Sequence, residues 1–380
     1  MDRLFLSFIL LIGLQAGAQT PALAVSDSLY AVGQYFQAIE TLNSISPKSD
    51  KVYLQLAKSQ KASGLLNEAL QNYKKVLAKS PERLLTIIDY GELLVDTGNL
   101  KLADSLFRDL IDRYPENANF QYRMGLIKEK QKDNMAEHYF YKTIGLDSTH
   151  QSAVYKISKL ELQRKRIGNA IKLSSKGLEK NPNNPSLLSI LGQAYSAKAQ
   201  YEKAIPIFEK LISLNRDSEF IYNLLAYAYN RTGDLQNAKE NFNKALEIND
   251  RNSGTHFNLG KIYTRLGDYK KSEQHLLMAI LIKKQPVDAE FLSLALTYKR
   301  QKNYKDALHY FDRALEENPD NERALMEKAL AADAYFKDKK MVLGYYQAYM
   351  DKYKSIGDHQ MLEMAKYRIS DLKKELHMAE

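Results

Sequence analysis

Residues 219–252 read EFIYNLLAYAYNRTGDLQNAKENFNKALEINDRN, two short amphipathic stretches split by one turn. Tyr222, Leu225-Ala226 and Tyr229 recur at helical spacing, and Gly233-Asp234-Leu235 interrupts them. Ala238, Phe242 and Ala245 then resume the pattern. Neither stretch can bury its apolar face alone. The alanine of the second stretch keeps time along the chain: Ala38, Ala69, Ala103, Ala136, Ala170, Ala204, Ala238 and Ala307 recur at 31–35-residue intervals, with Ser272 in the one open slot. A bulky side chain usually follows four positions later, at Tyr73, Phe107, Phe140, Phe208, Phe242, Leu276 and Phe311. A fixed period of this length marks a stack of helical hairpins, each completing its core against its neighbours.

Small residues have a packing task in this scheme. Gly91, Gly192, Ala226, Gly260 and Ala295 sit in the middle of the first helices, where a larger side chain would hold the paired helix away. Pro81, Pro115, Pro182 and Pro319 fall where second helices should stop. Composition agrees: 380 residues hold only 17 Gly and 9 Pro, with 44% hydrophobic and 27% charged side chains. That is too apolar for disorder and too poor in turn residues for a many-stranded sheet.

The pattern resembles the tetratricopeptide repeat family. Its positions are filled by Leu259-Gly260, Tyr263, Gly267-Asp268-Tyr269, Ser272 and Ala279 in 253–287, and by Phe291, Tyr298, Tyr304, Ala307, Phe311, Ala314 and Pro319 in 288–321. Units begin near 19, 50, 84, 117, 151, 185, 219, 253, 288 and 322, so the array covers 19–353; the first is half-preserved and the last weak. The resemblance implies an all-α, right-handed superhelical solenoid of nine to ten hairpins. Leu362, Ala365, Ile369, Leu372 and Leu376 then recur at 3–4-residue spacing within 359–378. That segment reads as a capping helix or, alternatively, as a two-heptad dimer seam.

Residues 1–18 stand outside the period. Arg3, the apolar run Leu4 to Leu14 and the small-residue site Ala16-Gly17-Ala18 read as a secretory signal peptide cut before Gln19. An apolar stretch of eleven residues, interrupted by Ser7, is too short for a membrane anchor, which needs about 20. The expectation is export, with a soluble periplasmic protein after cleavage and no transmembrane segment. Cysteine is absent, so neither a disulfide nor a lipidated cysteine contributes.

No HExxH pair, phosphate loop, nucleophile elbow or dinucleotide turn appears, and the seven histidines show no metal-ligand spacing. The expectation is therefore a protein that is not an enzyme and carries no cofactor or metal. It is a scaffold or adaptor that binds a protein or peptide partner, in envelope assembly or secretion, and is itself monomeric. Nucleic acid is not an expected partner. The net charge of +9 is uneven: residues 84–116 carry net −4 and residues 151–217 net +7. The basic stretch offers an alternative contact with anionic glycan or lipid surfaces. A second alternative is an enzyme with an unrecognised site.

In the family, partners lie in a concave groove lined by positions 2, 5, 9, 12 and 13 of the first helices. Here those positions include Asn223, Tyr227, Asn230 and Arg231, then Phe257, Lys261 and Arg265, then Lys299 and Arg300. Arg231, Arg265 and Arg300 share one slot, a ladder suited to carboxylates or carbonyls of an extended peptide or a partner helix. Unit 185–218 offers the smoother Ser186, Ser189, Gln193, Ser196 and Ala197. The family's clamp for acidic chaperone tails is not matched, since of Asn223, Tyr227, Asn258, Ala289 and Ser293 only Asn258 fits it.

Overall fold

The computed structural model describes residues 21–284 and 286–378. The signal-peptide reading of 1–18 lies outside them. Every regular element among the described residues is an α-helix. The chain forms two compact units, the first ending at Leu160 and the second beginning at Glu161.

In the first unit, α1 (21–31) and α2 (Tyr35–Asn43) form a hairpin. They are followed by α3 (Asp50–Ala62), α4 (Leu66–Lys79), α5 (Leu84–Asp96), α6 (Leu100–Arg113), α7 (Ala118–Lys130) and α8 (Met135–Leu146). Each helix packs on the next, and α9 (Gln151–Gln163) follows. One continuous core runs from Ala57 and Tyr73 through Leu93 and Phe107 to Met124 and Ile127. Where helices cross, glycine is a steric requirement: a Cβ on Gly125 would lie 2.6 Å from the Phe140 ring. Lys128, Asp104 and Asp133 form a shielded ion cluster in this unit, with Lys128 2.5 Å from Asp104. Hydrogen bonds from Lys128 and Arg108 hold the Asp104 carboxyl below its usual range against the opposing effect of burial.

The second unit continues with α10 (Ile167–Lys180), α11 (Pro185–Ala197), α12 (Tyr201–Ser213), α13 (Glu219–Thr232), α14 (Leu235–Ile248), α15 (Ser253–Leu266), α16 (Tyr269–Ile282), α17 (Asp288–Arg300), α18 (Tyr304–Glu317), α19 (Glu322–Tyr335), α20 (Lys339–Tyr353) and α21 (His359–His377). Asparagine caps start several helices. Asn184 accepts from the backbone N–H groups of Ser186 and Leu187, and Asn252 from that of Thr255. Turns between paired helices need a left-handed residue, and Gly233 and Gly267 supply it at φ 91° and 81°. The equivalent turns at Lys165, Ala199 and Lys302 adopt positive φ without glycine.

Three first helices of this unit, α13, α17 and α19, open with an acid that takes hydrogen bonds from further along the chain. Asn318 and Asn321 donate to Asp288 at 3.2 and 3.1 Å, across 30 and 33 residues of chain. Asn249 and Asn252 both donate to Glu219, whereas Tyr349 of α20 donates to Glu322 within a single hairpin. Proline does not always end a helix: Pro206 lies inside α12. Helix α21 lays Leu362, Ala365, Ile369 and Leu372 on Met326, Val342, Tyr346 and Tyr349. The apolar stripe proposed for a dimer seam is thus covered by the chain's own last hairpin. Arg368 fastens it with two hydrogen bonds to Asp333, at 2.7 and 3.0 Å.

Candidate partner-binding groove

Four first helices of the second unit, α13, α15, α17 and α19, carry the residues singled out from sequence and the neighbours that complete their surroundings. Helix α17 is antiparallel to α18, and α18 to α19, through short loops, so α17 and α19 run parallel and touch. Between them and α15 lies a groove of about 620 Å³. Phe257, Lys261, Arg265, Lys299 and Arg300 all line it. Asn223, Tyr227, Asn230 and Arg231 do not.

Those four have local partners. Asn223 accepts from Thr255 at 2.8 Å and donates to Glu219 at 3.2 Å. Tyr227 packs edge-on against Tyr201 with centroids 6.0 Å apart, and Arg231 stands 5.5 Å over the same Tyr201 ring. Burial, then the neighbouring Tyr227, raise the Tyr201 hydroxyl pKa. Asn230 is taken by the next repeat, since Arg265 Nη1 donates to its Oδ1 at 2.6 Å.

The three arginines of the shared slot therefore differ. Arg231 covers a tyrosine, Arg265 is tethered to an amide, and Arg300 is exposed with neither an ion pair nor a hydrogen bond. Lys261 lies 5.1 Å from the Phe257 ring centroid. Lys299 is neutralised by Glu327 at 2.7 Å. The floor is apolar, made by Leu292 and Leu296 one helical turn apart on α17. Thr264 and Ser293 also line it, but both hydroxyls are engaged, Thr264 with Ser272 and Thr297 and Ser293 with the Ala289 carbonyl.

Sequence reasoning missed Leu292, Leu296, Arg323 and Glu327 as lining residues. Leu292, Leu296 and Arg323 occupy family positions 5, 9 and 2 of their units, so the template contained the signal. A search confined to polar and aromatic side chains passed over the leucines, and Arg323 belongs to the weak tenth unit. The basic stretch 151–217 is partly spent on local contacts. Arg166 pairs with Glu161 at 3.3 Å, Lys210 donates to the Pro182 carbonyl at 2.7 Å, and Lys203 lies over Tyr195.

Among the described residues, no three or more His, Asp or Glu side chains gather to hold a metal. No helix among them is long and apolar enough to cross a membrane. His256 and His275 do meet, with Nδ1 atoms 2.9 Å apart. Because His256 Nε2 contacts the Asp250 carbonyl at 2.9 Å, its Nδ1 is the acceptor and His275 Nδ1–H the donor. His275 stacks on Tyr263, and burial, His256 and Lys271 lower its pKa to about 4.

Comparison with known proteins gives tetratricopeptide-repeat family matches at residues 60–124, 173–205 and 289–321. A match to the family described as anaphase-promoting complex, cyclosome, subunit 3 covers 197–279. Tetratricopeptide repeat protein 21B of Xenopus laevis is 25% identical over 169 residues, 42% of this chain and 13% of that protein. Tetratricopeptide repeat protein 21A of Mus musculus is 24% identical over 208 residues, 48% of this chain and 16% of that one. The chain thus spans less than a fifth of either curated relative's length. Among solved structures, YrrB, described as a TPR protein with an unusual peptide-binding site, is 20% identical with a TM-score of 0.45, covering 50% of this chain and 97% of its own. Yeast Tom70 is 14% identical with a TM-score of 0.42, covering 94% of this chain and 97% of its own. The family matches and the curated relatives support the assignment of this chain to the tetratricopeptide-repeat proteins.

Proposed function

We propose that this tetratricopeptide-repeat protein is a non-enzymatic scaffold that holds a segment of a partner protein in the groove between α15, α17 and α19. The observation that carries the reading is the juxtaposition, in one cleft of about 620 Å³, of an apolar floor with cations that have no acid to neutralise them. An apolar floor supplies buried area, and guanidinium groups supply oriented hydrogen bonds. The pattern of residues 1–18 adds that the protein works outside the cytoplasm, as an adaptor in a periplasm, in envelope assembly or secretion. The groove is preferred over the basic stretch 151–217 because part of that stretch already pairs within the fold.

The test is affinity capture from the native envelope fraction with the full chain and with an Arg265→Glu/Arg300→Glu variant, both shown to be folded by circular dichroism. Loss of a partner with the variant supports the groove. Equal capture by both moves the binding surface elsewhere. Fractionation of tagged protein, with the N-terminus of the mature chain sequenced, tests export: an intact residue 1–18 segment on cytoplasmic protein would refute it.

A further inference from the structure

We infer that the groove takes an extended segment in which two carboxylates flank an apolar residue; this rests on the groove reading above. The cations are not evenly spread. Arg300 ends α17, Arg323 stands in the first turn of α19, and both line the cleft without a carboxylate of their own. On two parallel helices these positions are offset by ~16 Å, at 1.5 Å per residue. An extended chain covers that distance in about five residues, at roughly 3.3 Å each. Leu292 and Leu296 lie between the two ends.

The middle of the groove has little to offer a polar ligand. The Ser293 and Thr264 hydroxyls are engaged internally, and Lys299 is already paired with Glu327. A polyanion with charge at every step, such as a nucleic acid strand, would leave its central phosphates over leucine. A basic segment would meet Lys261, Arg265, Arg300 and Arg323 against a single engaged carboxylate. Acid, apolar, acid is the pattern that meets each part of the cleft with its complement. Arg265, held by Asn230 beside Arg300, preorganises the end that receives one carboxylate.

The experiment is fluorescence anisotropy with the full chain and labelled nine-residue Ser/Gly peptides carrying two glutamates four positions apart, the ends of a five-residue span, with a leucine midway on the same face. The parent peptide should bind. Replacing either glutamate by Gln, replacing Leu by Ser, or moving the glutamates to adjacent positions should each weaken binding about tenfold or more. Arg300→Gln and Arg323→Gln should do the same to the parent peptide without lowering the melting temperature. No binding of the parent, equal binding of the Gln or Ser peptides, or unchanged binding by both variants would overturn the inference. A photo-crosslinker at Leu296 separates the two levels. Capture of a protein there while the peptides fail leaves the groove reading standing and removes this one; failure of both removes both.

Discussion

Arg265 of α15 donates to Asn230 of α13 at 2.6 Å, so one rung of the arginine ladder is anchored to the preceding repeat. Arg300, at the same slot one repeat later, has no such anchor and is exposed. The two should respond differently to replacement. Arg300→Glu should abolish partner capture while changing stability by less than ~0.5 kcal/mol, as for an unpartnered surface residue. Arg265→Glu should weaken capture and also destabilise by about 1 kcal/mol, through loss of a charged hydrogen bond. Urea unfolding beside a capture assay reads both; equal stability losses would contradict the distinction.

Gly192 and Phe208 fit so closely that a Cβ on the glycine would lie 2.5 Å from the ring. Gly192→Ala should therefore destabilise by roughly 1–3 kcal/mol, although alanine favours the helix. Gly145 meets nothing within 4 Å, and there Gly→Ala should stabilise by up to ~1 kcal/mol. Thermal melts of the two variants should shift in opposite directions.

Arg368 bridges α21 to Asp333, which also accepts from Tyr346 at 3.2 Å. The Arg368 hydrogen bond, against burial, holds the Asp333 carboxyl below its usual range. Its contribution is thus fully present above about pH 4, near the unfolded value, and is lost as pH falls through the lower folded value. Arg368→Ala should cost about 1–3 kcal/mol and raise amide exchange in α21 before other helices. Uniform exchange along the chain would contradict a cap held by this contact.

His275 acts in the same direction, at higher pH. Its pKa is lowered to about 4, below an unfolded value of about 6.5, so the folded form favours neutral imidazole. Protons bind the unfolded chain first as pH falls from about 6.5 to 4, and stability declines over that range. His275→Asn should flatten the melting-temperature slope there. An unchanged slope would show that other groups set the acid response.

Ala199 occupies a left-handed turn at φ 58°, where neighbouring repeats use Gly233 and Gly267. Ala199→Gly should relieve about 1 kcal/mol of backbone strain. A lowered unfolding midpoint would contradict it.

The fold class was legible because its cause is periodic. A small residue such as Gly192 must recur opposite a large one such as Phe208, and each repeat writes that pair again. The latches between repeats were not. Asn318 and Asn321 reach Asp288 across about one repeat, and neither belongs to the apolar period. The site was legible in part. Phe257, Lys261, Arg265, Lys299 and Arg300 share the cleft, whereas Asn223, Tyr227, Asn230 and Arg231 are taken up by contacts with Thr255, Tyr201 and Arg265. Slot numbers place a side chain on a face but do not say which neighbour has claimed it. The apolar floor of Leu292 and Leu296 went unmarked because leucine on a first helix reads as core.

The groove's role is tested most directly by a photo-crosslinker in the full chain at Leu296, compared with one at Leu281 on the exposed face of α16. Capture of a partner protein at Leu296, absent at Leu281 and lost on adding Arg300→Glu and Arg323→Glu, is the expected result. Equal capture at both positions, or capture at Leu296 that survives both charge reversals, would contradict it.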